Sequence, residues 1–382
     1  MYTKKVSVVL VLYNAENFIK ATLESIINQT YKNMEIIIVD DCSHDNTSSV
    51  IKLYQDKDSR IRYVISDRNR QVCNSGNLGF NIVTGDYIAL IGHDDIWLSN
   101  KIEKQVEYMD LHPECGVCFT AIDFINENGE KLEDSNKETV YKSIFSKSNM
   151  PKQTIVYNLW CGGNYLCAPS AIIRKSIIDL VGGYQICYLQ LQDLDLWLRI
   201  LEYSELYILQ ECLTLYCICE KDRSNLSSTN DINARLRFQN ESMLMQDNYL
   251  DIISDSFFKE IFGHKFKKKP LNLYELECEK IFLLYEIKNV YYMKRLQKLL
   301  NIPAARKILE EKYYLYEKDF YIMESNHYYW GNNDEKYISV LSDKLKEYEE
   351  LTKRISITFD KYNMILEQKD QEILRLKKML EG

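Results

Sequence analysis

Two stretches of the chain carry side chains that could do chemistry. In the first, Tyr87 to Ile91 is an unbroken apolar run between Gly85 and Gly92, followed after His93 by two adjacent carboxylates, Asp94 and Asp95. A short apolar run bounded by glycines has the length of a strand buried on both faces. In an open parallel sheet ligands bind just past the carboxyl ends of the strands, so acids placed there face a site. An acidic pair beside a pocket suits a hard divalent cation, which takes oxygen ligands and neutralises phosphate oxygens. The pair alone fits equally well with Asp94 capping the helix that follows. The second stretch, Leu191 to Ile200, reads Leu-Gln-Asp-Leu-Asp-Leu-Trp-Leu-Arg-Ile. On a helix starting near Gln192, Leu194, Trp197, Leu198 and Leu201 form a buried stripe. Asp193 then falls in the first turn, where exposed backbone N–H groups favour an anion. Taken singly, Asp193 also reads as a helix cap and Trp197 as core.

The elements that must position these residues alternate. Val6 to Leu12 reads as a strand, followed by the turn-prone Tyr13-Asn14. Phe18, Ile19, Leu23, Ile26 and Ile27 then recur at helical spacing. Glu35 to Val39 is a second strand running into Asp40-Asp41-Cys42-Ser43, and a helix from about Ser48 to Tyr54 follows. A strand over Ile61 to Ile65 and a helix over Asn74 to Val83 lead to the strand at Tyr87. This alternation predicts an α/β domain with a mostly parallel sheet, right-handed crossovers and helices on both faces. No Gly-x-Gly-x-x-Gly follows the first strand and no Gly-Lys-Ser/Thr loop occurs, so a nucleotide would be held by strand-end side chains and a metal. Lys101 to Leu111 reads as a helix and Gly116 to Ile125 as a strand. Lys131 to Lys152 is patternless and expected to be a mobile loop, and Asn158 to Ser170 a glycine-broken pocket lining. Lys175 to Val181 reads as a helix closed by Gly182-Gly183.

At 382 residues the chain has room for two domains and an extension, and its 46% hydrophobic content is enough for a real core. A net charge of -8 argues against general nucleic-acid binding. No secretory leader pattern and no apolar run near the ~20 residues of a membrane span is present, so a cytoplasmic protein is expected. The 11 cysteines are scattered through apolar segments, as reduced buried thiols are. Cys115 and Cys118 form one Cys-x-x-Cys without a second pair at zinc spacing.

These pieces together resemble the family-2 glycosyltransferases, inverting enzymes of the GT-A fold, over about residues 4–225. The resemblance rests on an ordered series. Val6 to Leu10 leads into Tyr13-Asn14, and Asn28-Gln29-Thr30-Tyr31 closes the first helix. Glu35 to Thr47, Asn77-Leu78-Gly79, Gly85-Asp86-Tyr87-Ile88 and Asp94-Asp95 follow, then Gly182-Gly183-Tyr184 and Gln192 to Arg199. It implies that Tyr13 stacks on the base of a nucleotide-diphospho-sugar and that Asp41 accepts from the base's ring N–H. It implies too that Asp94 ligates Mg2+ or Mn2+ at the diphosphate with Asp95 orienting metal or sugar, and that Asp193 is the general base. The acceptor it implies is a hydroxyl of a glycan or lipid-linked saccharide, in cell-surface polysaccharide biosynthesis.

The chain also departs from the family pattern. The first acid of the metal motif is Gly92, with His93 a candidate substitute ligand, and an arginine often found before Asn77 is Gly76. The acid before the base is Gln192, and a histidine beyond the base helix is Cys219, leaving Lys221 or Arg223 to bind phosphate. Domain boundaries are expected at 1–230 for the GT-A domain, 231–332 for a helical region and 333–382 for a coiled-coil extension. Phe257, Phe258, Phe262 and Phe266 beside Lys265 and Lys267 to Lys269 read either as a lipid-touching surface at the inner membrane face or as a helix packed on the domain. From Ile338 to Leu380 apolar residues recur at steps of three and four, interrupted by Thr352 and Lys369. That period of about 3.5 predicts a coiled coil and self-association, or a partner helix. The loss of an acid at Gly92 leaves open a second reading, a non-catalytic scaffold that assembles partners through this seam.

Overall fold

The structure, a computed structural model, describes residues 4–132, 136–218 and 232–325. The first half alternates β1 (Val6–Leu12), α1 (Ile19–Ile27), β2 (Met34–Asp40), α2 (Thr47–Gln55), β3 (Ile61–Ile65), α3 (Gln71–Ile82) and β4 (Tyr87–Ile91). β5 (Ile96–Trp97), α4 (Lys101–Leu111), β6 (Cys115–Ile125), α5 (Asn136–Phe145), α6 (Lys152–Gly162), β7 (Ile172–Arg174), α7 (Lys175–Val181), α8 (Gln192–Tyr203) and β8 (Glu205–Cys217) complete the sheet region. The helices α9 (Ile232–Ile252), α10 (Asp255–Phe262), α11 (Leu273–Glu286), α12 (Tyr291–Leu300) and α13 (Pro303–Tyr313) follow. They share one compact unit with the sheet; the described helix Glu317–Ser325 belongs to a second unit.

The eight strands form one sheet in the order β3-β2-β1-β4-β7-β6-β8-β5. β1, β2 and β4 are buried on both faces, as their near-continuous Val/Ile/Leu composition requires when helices cover both sides of a sheet. The sheet is mixed and, as expected, mostly parallel, with β5 and β7 the antiparallel exceptions. β3, β2, β1 and β4 run parallel, but β7 lies antiparallel between β4 and β6, and β5 antiparallel to β8. β7 has no crossover helix to return it to the amino end of the sheet, and it enters from the rim where β4 ends, Ile172 pairing with Ala89. The segment that feeds it, Asn164 to Ala171, is thereby carried to the carboxyl rim of the parallel strands. β8 was not legible in the sequence. It runs parallel to β6 with register shifts between Thr120 and Ile122, and it delivers Cys217 to the acidic corner. The stretch from Lys131 to Lys152 is not a patternless loop, since α5 lies within it.

The helical region is fastened to the sheet region through α6. Trp160 is 0% exposed, its Nε1 donates to the Gln246 carbonyl at 3.1 Å, and the Gln246 amide donates back to the Trp160 carbonyl at 3.0 Å. The Phe262 ring packs edge-on to the Trp160 indole at 4.9 Å. Phe257, Phe258 and Phe262 are buried, so these rings belong to the core and are not available to a lipid surface. Trp160→Ala should cost about 3–5 kcal/mol, the usual range for emptying a buried tryptophan site. Chemical denaturation of wild type and variant checks this.

Candidate active site

The register of the parallel strands places the expected donor-side residues on one rim. Leu12 pairs with Asp40 and Leu10 with Ile91, so Tyr13, Asp41 and the 92–95 corner all leave the sheet at the same edge. Tyr13 is 38% exposed with its ring edge-on to His44 at 6.4 Å, which leaves a ring face open for stacking. Asn14, at φ 50, takes the left-handed turn that frees its Oδ1 to accept the His44 N–H at 2.9 Å, joining the first two strand-end loops. Asp41 is buried, and its Oδ1 accepts the Arg70 backbone N–H and the Ser75 hydroxyl, each at 2.8 Å. Its carboxylate is therefore fixed in orientation.

At the acidic corner the two carboxylates differ. Asp95 is 2% exposed, its Oδ1 accepts the Cys217 N–H at 2.9 Å, and its carbonyl accepts from the Thr22 hydroxyl at 2.9 Å. Burial, and then the neighbouring Asp94 carboxylate, push the Asp95 carboxyl well above the usual carboxylate range. Asp94 is half-buried at the rim. Gly92 makes this arrangement possible, because a Cβ there would lie 2.4 Å from Asp95 Oδ2 and 3.1 Å from Asp94 Oδ1. The His93 ring packs edge-on to Phe18 at 6.1 Å.

Asp193 sits in the first turn of α8. Its Oδ2 accepts the Asn164 amide at 2.7 Å and its Oδ1 the Leu194 N–H at 2.8 Å. Burial pushes the carboxyl up to about 6, against the pull of these two donors. The buried Cys167 thiol joins the two acidic places, since after burial itself the charges of Asp95 and Asp193 both push its pKa up. The charges of Asp95 and Asp193, 98 positions apart in the chain, are thus both felt at one buried thiol. A carboxylate poised near neutral pH suits proton abstraction, and a rim carboxylate suits a cation.

The segment before α8 is held from the donor side. The Asn77 amide donates to the Tyr184 carbonyl at 2.8 Å and its Oδ1 accepts the Tyr184 N–H at 2.7 Å. A Cβ at Gly183 would meet Asn77 Oδ1 at 2.1 Å, and one at Gly76 would meet the Tyr184 ring at 2.7 Å. Glycine at 76, where the resemblance suggests arginine, is therefore matched to Tyr184. Arg199 donates to the carbonyls of Val181 and Gly183 at 2.7 Å each and pairs with the buried Asp195.

Residues 7–182 match the family model described as Glycosyl transferase family 2. Over 220 residues, 57% of this chain and 72% of the relative, the sequence is 33% identical to an uncharacterized glycosyltransferase, MJ1057, of Methanocaldococcus jannaschii. The chain belongs to glycosyltransferase family 2. The putative teichuronic acid biosynthesis glycosyltransferase TuaG of Bacillus subtilis is 30% identical over 55% of this chain and 78% of its own. An Escherichia coli family member, WfgD, is 28% identical over 58% of this chain and 78% of its own; it is named a UDP-Glc:alpha-D-GlcNAc-diphosphoundecaprenol beta-1,3-glucosyltransferase. The structure of residues 1–349 of S. aureus TarS with UDP superposes with a TM-score of 0.52 at 15% identity, covering 76% of this chain and 87% of that one. At that identity it shows the fold alone: this glycosyltransferase has a GT-A-like α/β fold with a helical C-terminal region.

Arg223, Lys221 and Cys219 and the seam over 338–380 lie outside the described residues. The sequence did not point to Asn164, whose only signal was its place in a glycine-broken segment. Among the described residues no helix is long and apolar enough to cross a membrane. Nor does any group of three or more His, Cys, Asp or Glu side chains among them form a metal cage. Asp94 and the diphosphate oxygens of a donor would together suit Mg2+ or Mn2+, which commonly binds through one or two carboxylates plus substrate phosphates.

Proposed function

We propose that this family-2 glycosyltransferase moves a sugar from a UDP-linked donor to a hydroxyl of a glycan or lipid-linked saccharide, with inversion at the anomeric carbon. The observation that carries the reading is Asp193, a buried carboxylate raised to about 6 and held by Asn164; its charge and that of Asp95 are both felt at the Cys167 thiol. Tyr13 stacks on the base and Asp41 accepts its ring N–H. Asp94 would hold a divalent cation, which would supply positive charge for a diphosphate, and the buried Asp95, bonded to the Cys217 N–H, keeps the corner in place. That cation, when bound, neutralises charge on the leaving diphosphate. Asp193 takes the proton of the acceptor hydroxyl as its oxygen bonds to the anomeric carbon and the sugar–phosphate bond breaks. Asn164 keeps the Asp193 carboxylate in one rotamer. Tyr165 Oη and Gln192 Oε1, buried without hydrogen-bond partners beside Asn164 and Asp193 in the chain, would bond acceptor hydroxyls, since an unpaired buried polar atom costs about 1–3 kcal/mol. The donor assignment is supported by the named activity of the E. coli relative, and the acceptor class by that relative and by TuaG.

Incubation with a panel of sugar nucleotides, with the product analysed by NMR, tests the reading. UDP and an inverted anomeric configuration are expected; pyrophosphate or retained configuration overturns it. Gly92→Ala should weaken Mn2+-supported UDP binding by about tenfold, or about 1.4 kcal/mol, because the added methyl displaces both carboxylates. Calorimetry checks this. On the same reading the chain divides at about 230 and 332. It works in the cytoplasm, reaching a lipid-linked acceptor at the inner membrane face through its exposed lysines 267–269. Residues 338–380 serve self-association or a partner helix, and for self-association truncation near Asn333 should lower the solution mass.

A further inference from the structure

Glu241 lies on α9, in the helical region, yet its carboxylate is spent on the catalytic domain. It is 7% exposed. Its Oε1 accepts the Leu189 N–H at 2.9 Å, and its Oε2 accepts the N–H groups of Gln190 at 2.8 Å and Leu191 at 3.0 Å. These three amides immediately precede Gln192 and Asp193, the first residues of α8. Three charge-assisted bonds from one carboxylate fix three consecutive peptide planes, and hence the direction in which α8 starts. The same α9 is tied to α6 by the reciprocal Trp160–Gln246 pair, and α6 leads to Asn164, which holds the Asp193 side chain. On the far side of α9 the buried Arg295 of α12 grips Asp247 at 2.5 Å. The three residues leading to Gln192 and Asp193 are thus held by Glu241 and the Asp193 carboxylate by Asn164, and both holders are braced on one framework.

We infer that Glu241 is a positioning residue for the transfer step, and that the helical region sets the geometry of the base through it. The inference rests on Asp193 being the base. The three bonds run to the segment that leads into Asp193, so the clamp acts on turnover and not on donor binding. Glu241→Gln keeps the size but replaces one acceptor oxygen with an N–H donor facing backbone N–H groups, so at least one of the three bonds is lost and repelled. A displacement of about 1 Å at a reacting group costs about a hundredfold.

The test uses the full chain, with UDP-glucose as donor or whichever sugar nucleotide of the panel turns over fastest. Glu241→Gln should lower kcat about 10- to 100-fold with donor KM within twofold of wild type. Amide exchange at Leu189, Gln190 and Leu191 should speed up at the same time. Glu241→Ala should do the same more strongly if it folds; the Gln variant carries the test if it does not. Unchanged kcat, unchanged exchange at the three amides, or a parallel loss of UDP affinity overturns the inference. Asp193→Asn measured alongside separates the two claims. If it stays active the base assignment fails, whereas if it is inactive and Glu241→Gln is normal only the positioning role fails.

Discussion

Asp193→Asn is expected to lower kcat by about a thousandfold, the middle of the range for losing a general base. UDP binding in the presence of Mn2+ should stay at the wild-type level. The amide keeps the shape of the carboxylate and can still accept the Leu194 N–H, so the first turn of α8 keeps its bond, while the Asn164 amide loses its acceptor. What is lost is the ability to take a proton. The pH dependence has a definite sign. Burial raises the Asp193 carboxyl to about 6, and only the deprotonated form is a base. The wild-type rate should therefore be flat above about pH 7, fall tenfold per unit below the pKa, and run parallel to the ionised fraction of one carboxylate. In the variant the residual rate should lose this limb. Stopped assays of UDP release from pH 5 to 8 on both proteins, with circular dichroism to confirm the fold, make the comparison.

Asp94→Asn has the second largest expected effect, on binding and not on the proton. Asp94 is half-buried at the rim, whereas Asp95 is sealed beneath it with one oxygen on the Cys217 N–H. On the proposed reading Asp94, the more exposed of the two, is the one that would offer its carboxylate to a cation. Replacing it should weaken Mn2+-supported UDP binding by about a hundredfold, or about 2.7 kcal/mol. The metal-independent part of the affinity, from Tyr13 and Asp41, should be unchanged. Chelation with EDTA should reproduce the loss in wild type and add nothing in the variant. Calorimetric titration of UDP with and without Mn2+ separates these contributions.

The donor half of the molecule was legible because its signals are local. β1, β2 and β4 are apolar runs buried on both faces, and the residues that follow them reach one rim by register alone. In the other half α4, β6, α7 and the start of α8 were legible too, but the pairing of the remaining strands was not. A short strand was legible at Ala171 to Ile173, where β7 is Ile172–Arg174, but its antiparallel direction was not, since that follows from where the preceding loop ends. β8 runs from Glu205 to Cys217 with polar residues at exposed positions in its middle, and its register shifts against β6 break the alternation that would mark it. Asn164 and Glu241 were invisible for a different reason. Each acts on the 189–193 segment from a distance of 29 to 52 positions in sequence (193 minus 164, 241 minus 189), and nothing in the flanking residues announces such a contact. Motif order explains itself in places. Asn77, Gly183 and Tyr184 recur as separate fragments of the family pattern, and in space they are one interlock between α3 and the loop before α8.

The central claim is that Tyr13, Asp41, Asp94 and Asp193 serve a single cleft, with the donor on one side and the base on the other. A crystal structure of the full chain with a UDP-sugar and Mn2+ bound tests it most directly. The account predicts the base of the nucleotide on Tyr13, the cation on Asp94, and the anomeric carbon facing Asp193 with room for one hydroxyl between them. A bound donor whose anomeric carbon points away from Asp193, or whose diphosphate lies clear of Asp94, would contradict it.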